Sequence, residues 1–230
     1  MAGTLYAIPT PLGGAPADAL PAATLAIVRS LRDFVVENAK SARAFLKAVE
    51  MPAPIQDIAI AEIDAASDLN AALQTLAAGR SLGLLSEAGC PAIADPGAAL
   101  VEAAHAAGFR VVPLVGPSSI VLALSASGLE GQRFAFCGYL PREPAARAKR
   151  IREIEERSRR EKETQIFIET PYRNEALLSA LLENCRGRTR LCVACDLTLP
   201  GEEIQMREVA SWRGRRRPIG KRPAVFLLLA

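Results

Sequence analysis

Short apolar runs alternate with amphipathic stretches along the chain, which is the pattern of an α/β protein. The apolar runs predict buried strands, and apolar residues at helical spacing predict helices between them. The predicted strands are Leu5–Ile8, Phe34–Val36, Ser81–Leu85, Val111–Leu114, Phe134–Gly138, Gln165–Glu169, Leu191–Asp196, Glu203–Val209 and Pro223–Leu229. The predicted helices are Ala22–Leu31, Ser41–Val49, Asp68–Ala78, Ala98–Ala107, a segment from Gly116 to about Ser127, and Asn174–Glu183.

Helix caps, strand pairing and lobe boundaries follow from the same pattern. Ser41 is the expected N-cap of its helix, and Asp68 is expected to contribute to the cap of the next one. The last two predicted strands are expected to pair as a hairpin. A turn near Val115–Ser119 separates two runs of strands and helices, so two α/β lobes are predicted, residues 1–115 and 116–230. The 230 residues, half of them hydrophobic, are enough to bury a core.

The N-terminus has no basic segment followed by an apolar one, so it does not resemble a signal peptide. No apolar stretch reaches the roughly 18 residues that a membrane span needs, and a cytoplasmic protein is expected. The five cysteines include one CxxC, Cys192 and Cys195, in an apolar run. A structural zinc site would need a second ligand pair. We therefore expect buried strand cysteines and no metal, with the single histidine, His105, on a solvent-facing helix.

Three predicted strands of the first half end in turns rich in Gly, Pro and Ser, which read PTPLGG, SEAGCPAIADPG and VGPSS. Ligands of open α/β sheets bind beyond the carboxyl ends of the strands, and glycine lets the backbone approach a ligand closely. Three such turns on one edge predict a backbone-lined ligand site. The chain has no GxxxxGK[ST], no GxGxxG after its first strand and no GxSxG. This counts against a P-loop hydrolase, a Rossmann dehydrogenase and a serine hydrolase.

The segments LYAIPTPLGG, LLSEAGCPAIADPG, VVPLVGPSSIVLALSASGL, FCGYLPR and IFIETPYRN occur in this order along the chain. They resemble the tetrapyrrole methylase superfamily, the class III S-adenosylmethionine methyltransferases. The nearest branch methylates the ribose 2′-oxygen of a cytidine in 16S ribosomal RNA. The resemblance implies two α/β lobes with mixed sheets, S-adenosylmethionine in the cleft between them, a ribosomal RNA partner and a homodimer.

Carried over residue by residue, the resemblance also implies a cofactor site made largely of backbone. One position departs from the usual pattern, because Cys90 stands where the family has a small polar residue. Methyl transfer is an in-line displacement that depends mainly on alignment, and a site of rigid turns suits it. The implied cofactor-binding residues are Pro11, Ala88, Gly89, Cys90, Ile93, Ser118, Ser119, Glu169, Leu197, Thr198 and Ala224.

The substrate side departs further from this branch. Where the branch has an acidic E-D-T-R motif, this chain reads Glu37-Asn38-Ala39-Lys40, and Tyr172 replaces a histidine. A ribose hydroxyl would need help to lose its proton. Glu37, Lys40, Glu169 and Tyr172 could provide it, and Glu37 and Lys40 are the candidate catalytic residues. Glu37 could equally be a solvated strand-end carboxylate, and Lys40 would need burial to act as a base. The candidate substrate-binding residues are Arg43, Tyr172 and Arg173, although Arg173 could equally pair with Glu169.

The formal net charge of +3 is too small to indicate a nucleic-acid partner by itself. The segment Arg142–Lys162 mixes nine Lys or Arg with five Glu, which is typical of a solvated helix. The cluster Arg213–Arg217 is less balanced and could contact phosphates. Exposed bases are usually read by stacking on aromatic rings, for which Phe136, Tyr139 and Tyr172 are the candidates. RNA is the favoured substrate. The alternatives are a tetrapyrrole or another small molecule as acceptor, and a non-catalytic relative that binds S-adenosylmethionine.

Overall fold

The structure is a computed structural model that describes residues 2–63, 69–214 and 218–230. The expected cap at Asp68 and the last three arginines of the basic cluster, Arg215–Arg217, lie outside the described residues. The chain divides into two compact units, Met1–Ser118 and Ser119–Ala230. The division falls in the turn that follows Val115, where the sequence pattern changes.

The described strands of the first unit form one parallel sheet in the order β3-β2-β4-β1-β5. Parallel pairing places the carboxyl ends of all these strands at the same edge. The two strands β2 and β4 are buried along their whole length, as expected of a parallel sheet covered on both faces. The strands are β1 (Thr4–Ile8), β2 (Asp33–Val36), β3 (Ala59–Glu62), β4 (Leu82–Leu85) and β5 (Arg110–Pro113).

Helices cover this sheet and build two apolar clusters. One cluster includes Ile8, Phe34 and Leu46, and the other includes Leu84 and Leu100. The sequence pattern does not predict strand β3, because most of its four residues are exposed and they form no apolar run. The described helices are α1 (Pro16–Ala19), α2 (Ala22–Ser30), α3 (Ala39–Ala48), α4 (Asn70–Ala77) and α5 (Ala98–Ala106), with a 3-10 turn at Ile55–Asp57.

The N-cap of α3 is Asn38, and the prediction of Ser41 was wrong. Asn38 has an extended backbone, with φ −145°, and its side-chain oxygen accepts from the amides of Lys40 at 2.9 Å and Ser41 at 3.1 Å. The short Asn side chain reaches amides that lack a partner within the first turn of the helix. Ser41 lies one turn inside the helix, where its hydroxyl donates to the carbonyl of Asn38 at 3.1 Å.

The second unit contains a mixed sheet in the order β6-β7-β10-β8-β9. Strands β6 and β7 are parallel, whereas β10 runs antiparallel to both β7 and β8, and β9 runs antiparallel to β8. The predicted hairpin of the last two strands was therefore wrong. All six residues of β10 are buried, which requires a central place, and the more polar β9 lies at the edge. The strands are β6 (Phe134–Tyr139), β7 (Thr164–Ile168), β8 (Arg190–Cys195), β9 (Glu203–Glu208) and β10 (Ala224–Leu229).

Four described helices complete the second unit: α6 (Ser119–Ser127), α7 (Pro144–Glu161), α8 (Asn174–Asn184) and α9 (Val209–Gly214). Helices α7 and α8 pack on each other and share a large apolar cluster with the sheet. At its centre the rings of Phe167 and Phe226 stack with centroids 6.0 Å apart. Helix α6 contacts β8, β9 and β10. The predicted α/β class with a sheet in each lobe is confirmed, and of the two described sheets the second is mixed, as expected, while the first is parallel.

The two cysteines of the CxxC are buried in β8, as predicted from their apolar run. Burial raises the pKa of the Cys192 thiol to about 12 and that of Cys195 to about 11. His105 is exposed on α5, also as predicted. Within the described ranges, no three His, Cys, Asp or Glu side chains are grouped to hold a metal ion. No described helix has the length and apolar character of a membrane span.

Candidate functional site

The three turns predicted from the sequence meet at the carboxyl edge of the first sheet. Strand β1 lies between β4 and β5, so the turns that follow these strands are neighbours. The amide of Thr10 donates to the carbonyl of Gly89 at 2.9 Å, and the amide of Gly89 donates back at 3.0 Å. The thiol of Cys90 donates to the carbonyl of Pro117 at 3.4 Å. Three segments that are far apart in sequence thus form one backbone-lined surface, which we call the three-turn site.

The turn after β4 holds its backbone in conformations that side chains rarely adopt. Gly89 and Gly97 have φ of +80° and +123°, and Ala92 and Ala94 have φ of +65° and +66°. A left-handed conformation costs a residue with a side chain about 1–2 kcal/mol. The hydroxyl of Ser86 donates to the carbonyl of Gly89 at 3.3 Å and so holds the start of the turn. Strain of this kind is concentrated at ligand sites, where the surrounding structure maintains it.

The predicted cofactor residues of this unit lie on or just beneath the surface of the three-turn site. Ala88 is exposed, and Ile93 exposes 48% of its surface although it is a large apolar residue. Pro11 and Cys90 are half-buried, and Gly89 is buried. A Cβ atom on Gly89 would lie 3.3 Å from Cδ2 of Leu12, so a side chain there would crowd the turn after β1.

Two carboxyl groups, Glu87 and Asp95, belong to the turn after β4, and a third, Glu37, lies beside it. An oxygen of Glu37 accepts from the amide of Glu87 at 3.2 Å, and the Glu87 carboxylate accepts in turn from the hydroxyl of Ser41 at 3.2 Å. Burial raises the pKa of Asp95 to about 6, helped by the nearby charges of Glu37 and Glu87 and opposed by a hydrogen bond from Ser86. The sequence alone does not single out Asp95, because an Asp-Pro-Gly segment indicates only a turn. Its burial and its charged neighbours, which raise its pKa, are visible only in the structure.

Lys40 and Arg43, the predicted catalytic and substrate-binding residues of α3, are both exposed. Helix α3 starts beyond the carboxyl end of β2, which is the neighbour of β4, so both residues belong to the edge that carries the three-turn site. The amide at the start of the helix, on Ala39, donates to Glu62 at 2.6 Å. The exposed side chain of Lys40 lacks the burial that a catalytic lysine was expected to need.

In the second unit, Glu169 lies directly after β7 with a fully buried side chain. One carboxylate oxygen, Oε1, accepts from the amide of Thr170 at 2.7 Å and from Arg173 Nε and Nη2 at 2.9 and 2.6 Å. The alternative interpretation of Arg173 as the ion-pair partner of Glu169 is therefore confirmed, and this bond raises the pKa of the guanidinium. The other oxygen, Oε2, is buried without a hydrogen-bond partner in the described part of the chain.

Two further predicted cofactor residues of this unit, Leu197 and Ala224, lie at the same edge of its sheet. In β10, Ala224 pairs with Cys195 of β8, and the next residue pairs with Ile168, the last residue of β7. Ala224 and Leu197, which follows β8, therefore lie near Glu169, which follows β7. Both are buried, whereas Thr198 is exposed with φ +70°. Ser118 is the last residue of the first unit and Ser119 begins α6 of the second, and both are half-buried.

The opposite edge of the second sheet carries a basic turn that the sequence pattern did not predict. Arg186 and Arg188, in the connection from α8 to β8, are exposed. Buried Glu155 accepts from the amide of Arg186 at 2.7 Å, and Gly187 accepts from the amide of Ala210 at 2.9 Å. We call Arg186–Arg190 the basic turn. Arg213 lies beside it, because its guanidinium donates to the carbonyls of Leu182 and Cys185 at the end of α8.

Comparison with known proteins gives matches over most of the chain. The sequence pattern of the family Tetrapyrrole (Corrin/Porphyrin) Methylases matches residues 5–210. The ribosomal RNA small subunit methyltransferase I of Xylella fastidiosa is 37% identical over 196 residues, which are 85% of this chain and 69% of that protein. Its namesake from Vibrio cholerae is 33% identical over 211 residues, 90% of this chain and 70% of that protein.

Among solved structures, the methyltransferase CobJ superposes with a TM-score of 0.64 at 21% sequence identity. The match covers 100% of this chain and 94% of that chain, and at this identity it shows a shared fold. The family match and the relatives together cover both units. The chain is therefore a methyltransferase that belongs to the tetrapyrrole (corrin/porphyrin) methylase family, on the branch of relatives named ribosomal RNA small subunit methyltransferase I.

Proposed function

We propose that this methyltransferase uses S-adenosylmethionine to methylate the 2′-oxygen of a ribose in ribosomal RNA. The observation that carries the proposal is the three-turn site, in which the paired backbones of Thr10 and Gly89 and the Cys90–Pro117 contact present a rigid surface made largely of backbone. The names of the relatives support RNA as the substrate. A homodimer in the cytoplasm completes the proposal.

Two features of the structure fit S-adenosylmethionine. In the first unit, Gly89 leaves space that a Cβ would crowd, and the exposed Ala88 and Ile93 flank it. In the second unit, the orphaned Oε2 of Glu169 is an acceptor without a donor, which a buried carboxylate tolerates poorly. A ligand that carries amino and hydroxyl donors, as this cofactor does, would supply one. The cofactor residues predicted from the sequence therefore remain our proposal for the binding residues of each unit.

The bound cofactor supplies an electrophilic methyl group, and the protein must align the acceptor and take up its proton. The carboxylates beside the three-turn site are suited to the second task. Glu37 already accepts a hydrogen bond from the amide of Glu87, so one of its carboxylate oxygens is used to hold the turn. Asp95, with a pKa of about 6, lies closer to the neutral range in which a general base works best. We therefore propose Asp95, together with Glu37, as a candidate proton acceptor, whereas the exposed Lys40 lacks the burial that a base at this position would need.

The test is transfer of a tritiated methyl group from S-adenosylmethionine to small ribosomal subunits prepared from a strain that lacks the gene. We expect label in ribosomal RNA that maps to a ribose. A parallel calorimetric titration with the cofactor serves as the control for folded, competent protein. Cofactor binding without label on the subunits would contradict the proposal and favour a tetrapyrrole or other small-molecule acceptor, or a relative that binds the cofactor without catalysis.

A further inference from the structure

Two exposed tyrosines flank an anchored arginine at the carboxyl edge of the second sheet. Tyr139 ends β6 and pairs in register with Ile168, the last residue of β7. The chain continues from β7 through Glu169 into a 3-10 turn at Pro171–Arg173, which carries Tyr172. Because β6 and β7 are parallel, Tyr139 and this turn lie at the same edge. We call Tyr139, Tyr172 and Arg173 the tyrosine platform.

The two rings are the most exposed aromatic side chains in the described part of the chain, followed by Phe134 at 45%. Tyr139 exposes 56% and Tyr172 exposes 68% of its surface, whereas Phe34, Phe167 and Phe226 are fully buried. Exposed aromatic rings are unfavourable in water, because each ring presents a large apolar face. Two of them at one edge of the sheet mark a surface that is stabilised when it is covered.

Arg173 gives the platform a fixed geometry and a positive charge. Two of its nitrogens bond to the buried carboxylate of Glu169, which restricts the rotation of the guanidinium plane. Its Cζ lies 5.2 Å from the centroid of the Tyr172 ring, within the range of a cation–π contact. Tyr139 lies at the same edge of the sheet, because it pairs with Ile168, the residue before Glu169. Glu169 therefore orients Arg173, and Arg173 in turn orients Tyr172.

We propose that the tyrosine platform stacks an unpaired nucleobase of the RNA substrate, next to the nucleotide that is methylated. This inference rests on the proposed RNA methylation. A flat ring attached to an anionic backbone matches what the platform offers, namely exposed π-faces beside a guanidinium. Arg142, exposed three residues after Tyr139, adds a second cation for the backbone phosphates. An apolar protein partner would match the rings but would offer no counter-charge to Arg142.

The experiment measures the affinity of the full-length protein for an RNA oligonucleotide that carries 2-aminopurine next to the target position. Stacking of this base quenches its fluorescence, so the probe reports stacking directly. We expect Tyr139→Ala and Tyr172→Ala each to weaken RNA binding by roughly 5- to 150-fold, which is the range that one stacked base contributes to affinity. Both variants should also quench the fluorescence of the probe less. Tyr139→Phe and Tyr172→Phe retain the ring, and we expect them to bind within about twofold of the original protein.

Phe134→Ala is the matched control, since Phe134 is 45% exposed at the other end of the same strand. We expect this variant to bind RNA like the original protein. Calorimetric affinity for S-adenosylhomocysteine should stay unchanged in both alanine variants, which shows that they are folded. Methylation by the original protein, together with undiminished RNA affinity and quench in the alanine variants, would overturn the platform alone.

Absence of oligonucleotide binding by the original protein would overturn the platform, and absence of label on the small ribosomal subunits would overturn the proposed function as well. A third outcome separates a protein partner from RNA. If the alanine variants changed the sedimentation of the protein but not its RNA affinity per protomer, the rings would form a protein contact and the inference would be wrong.

Discussion

Gly89 illustrates how much of the three-turn site depends on single residues. Its amide and carbonyl both bond to Thr10, and its φ of +80° is a conformation that glycine adopts without strain. The neighbouring turn residues Ala92 and Ala94 reach positive φ without this freedom. At the residue scale, the site is thus a backbone arrangement that the surrounding contacts maintain against local preference.

The first prediction concerns Gly89→Ala. The new Cβ would lie 3.3 Å from Leu12 and in a left-handed conformation, so we expect a loss of about 1–2 kcal/mol in unfolding free energy and at least a tenfold loss of affinity for S-adenosylmethionine. Chemical denaturation and calorimetry measure the two effects. Gly108→Ala is the control, because Gly108 has a similar φ of +75° but open space around its Cβ. Gly108→Ala should lose about as much unfolding free energy, because its backbone is also left-handed, and should keep its affinity for S-adenosylmethionine. Equal affinities of the two variants would contradict the site.

The second prediction concerns the carboxyl group of Asp95. Its pKa is raised from an ordinary 3.8 to about 6, so the folded protein binds the proton more tightly than the unfolded chain does. The stability contributed by the protonated group is therefore lost as the pH rises from about 4 to about 6. Asp95→Asn cannot ionise, and we expect its melting temperature to decline less across this interval. The control is Asp18→Asn, an exposed carboxyl of α1. If the melting temperatures of the original protein and Asp95→Asn changed equally with pH over this interval, Asp95 would be well solvated and the prediction would be wrong.

At the element scale, the basic turn shows how neighbouring elements hold an exposed loop. The buried Glu155 of α7 accepts from Arg186 N and from the hydroxyl of Thr189, and the start of α9 donates back to the turn. The backbone is therefore fixed, while Arg188 is exposed and the exposed guanidinium of Arg186 lies 3.8 Å from Glu156 Oε2. A fixed loop loses little conformational entropy when its side chains bind phosphates.

The third prediction follows from this turn. The double variant with Arg186→Ala and Arg188→Ala should bind ribosomal RNA more weakly. The slope of log affinity against log salt concentration should become shallower by about 0.7–0.9 for each phosphate that the protein no longer neutralises. Affinity measured across a range of salt concentrations gives the slope. Arg110→Ala, an exposed arginine at the start of β5, serves as control and should leave the slope unchanged. An unaltered slope in the double variant would mean that the basic turn is ordinary surface.

At the scale of the whole molecule, two sheets of different construction each place their predicted site residues at one edge. The parallel sheet of the first unit does so because its strands all end on the same side. In the mixed sheet of the second unit, the end of β7 and the start of β10 meet because these strands are antiparallel. The same edge therefore collects Glu169, Leu197 and Ala224 from distant parts of the chain.

The sequence by itself determined the α/β class, most of the strands and helices, and the family, because these depend on local periodicity and on motifs that lie close together in the chain. It also predicted the three-turn site, since Gly and Pro signal turns locally and parallel strands end at one edge. The cap at Asn38 was missed by three residues because Asn and Ser are both good caps, and only the backbone conformation distinguishes them.

Only the tertiary structure decided which strands pair and which distant groups meet. The local pattern of β10 predicts a strand, but its place between β7 and β8 follows from the burial of both its faces by the rest of the unit. The raised pKa of Asp95 and the pairing of Arg173 with Glu169 depend on desolvation and on short distances between side chains. These quantities arise from packing, and no local sequence pattern contains them.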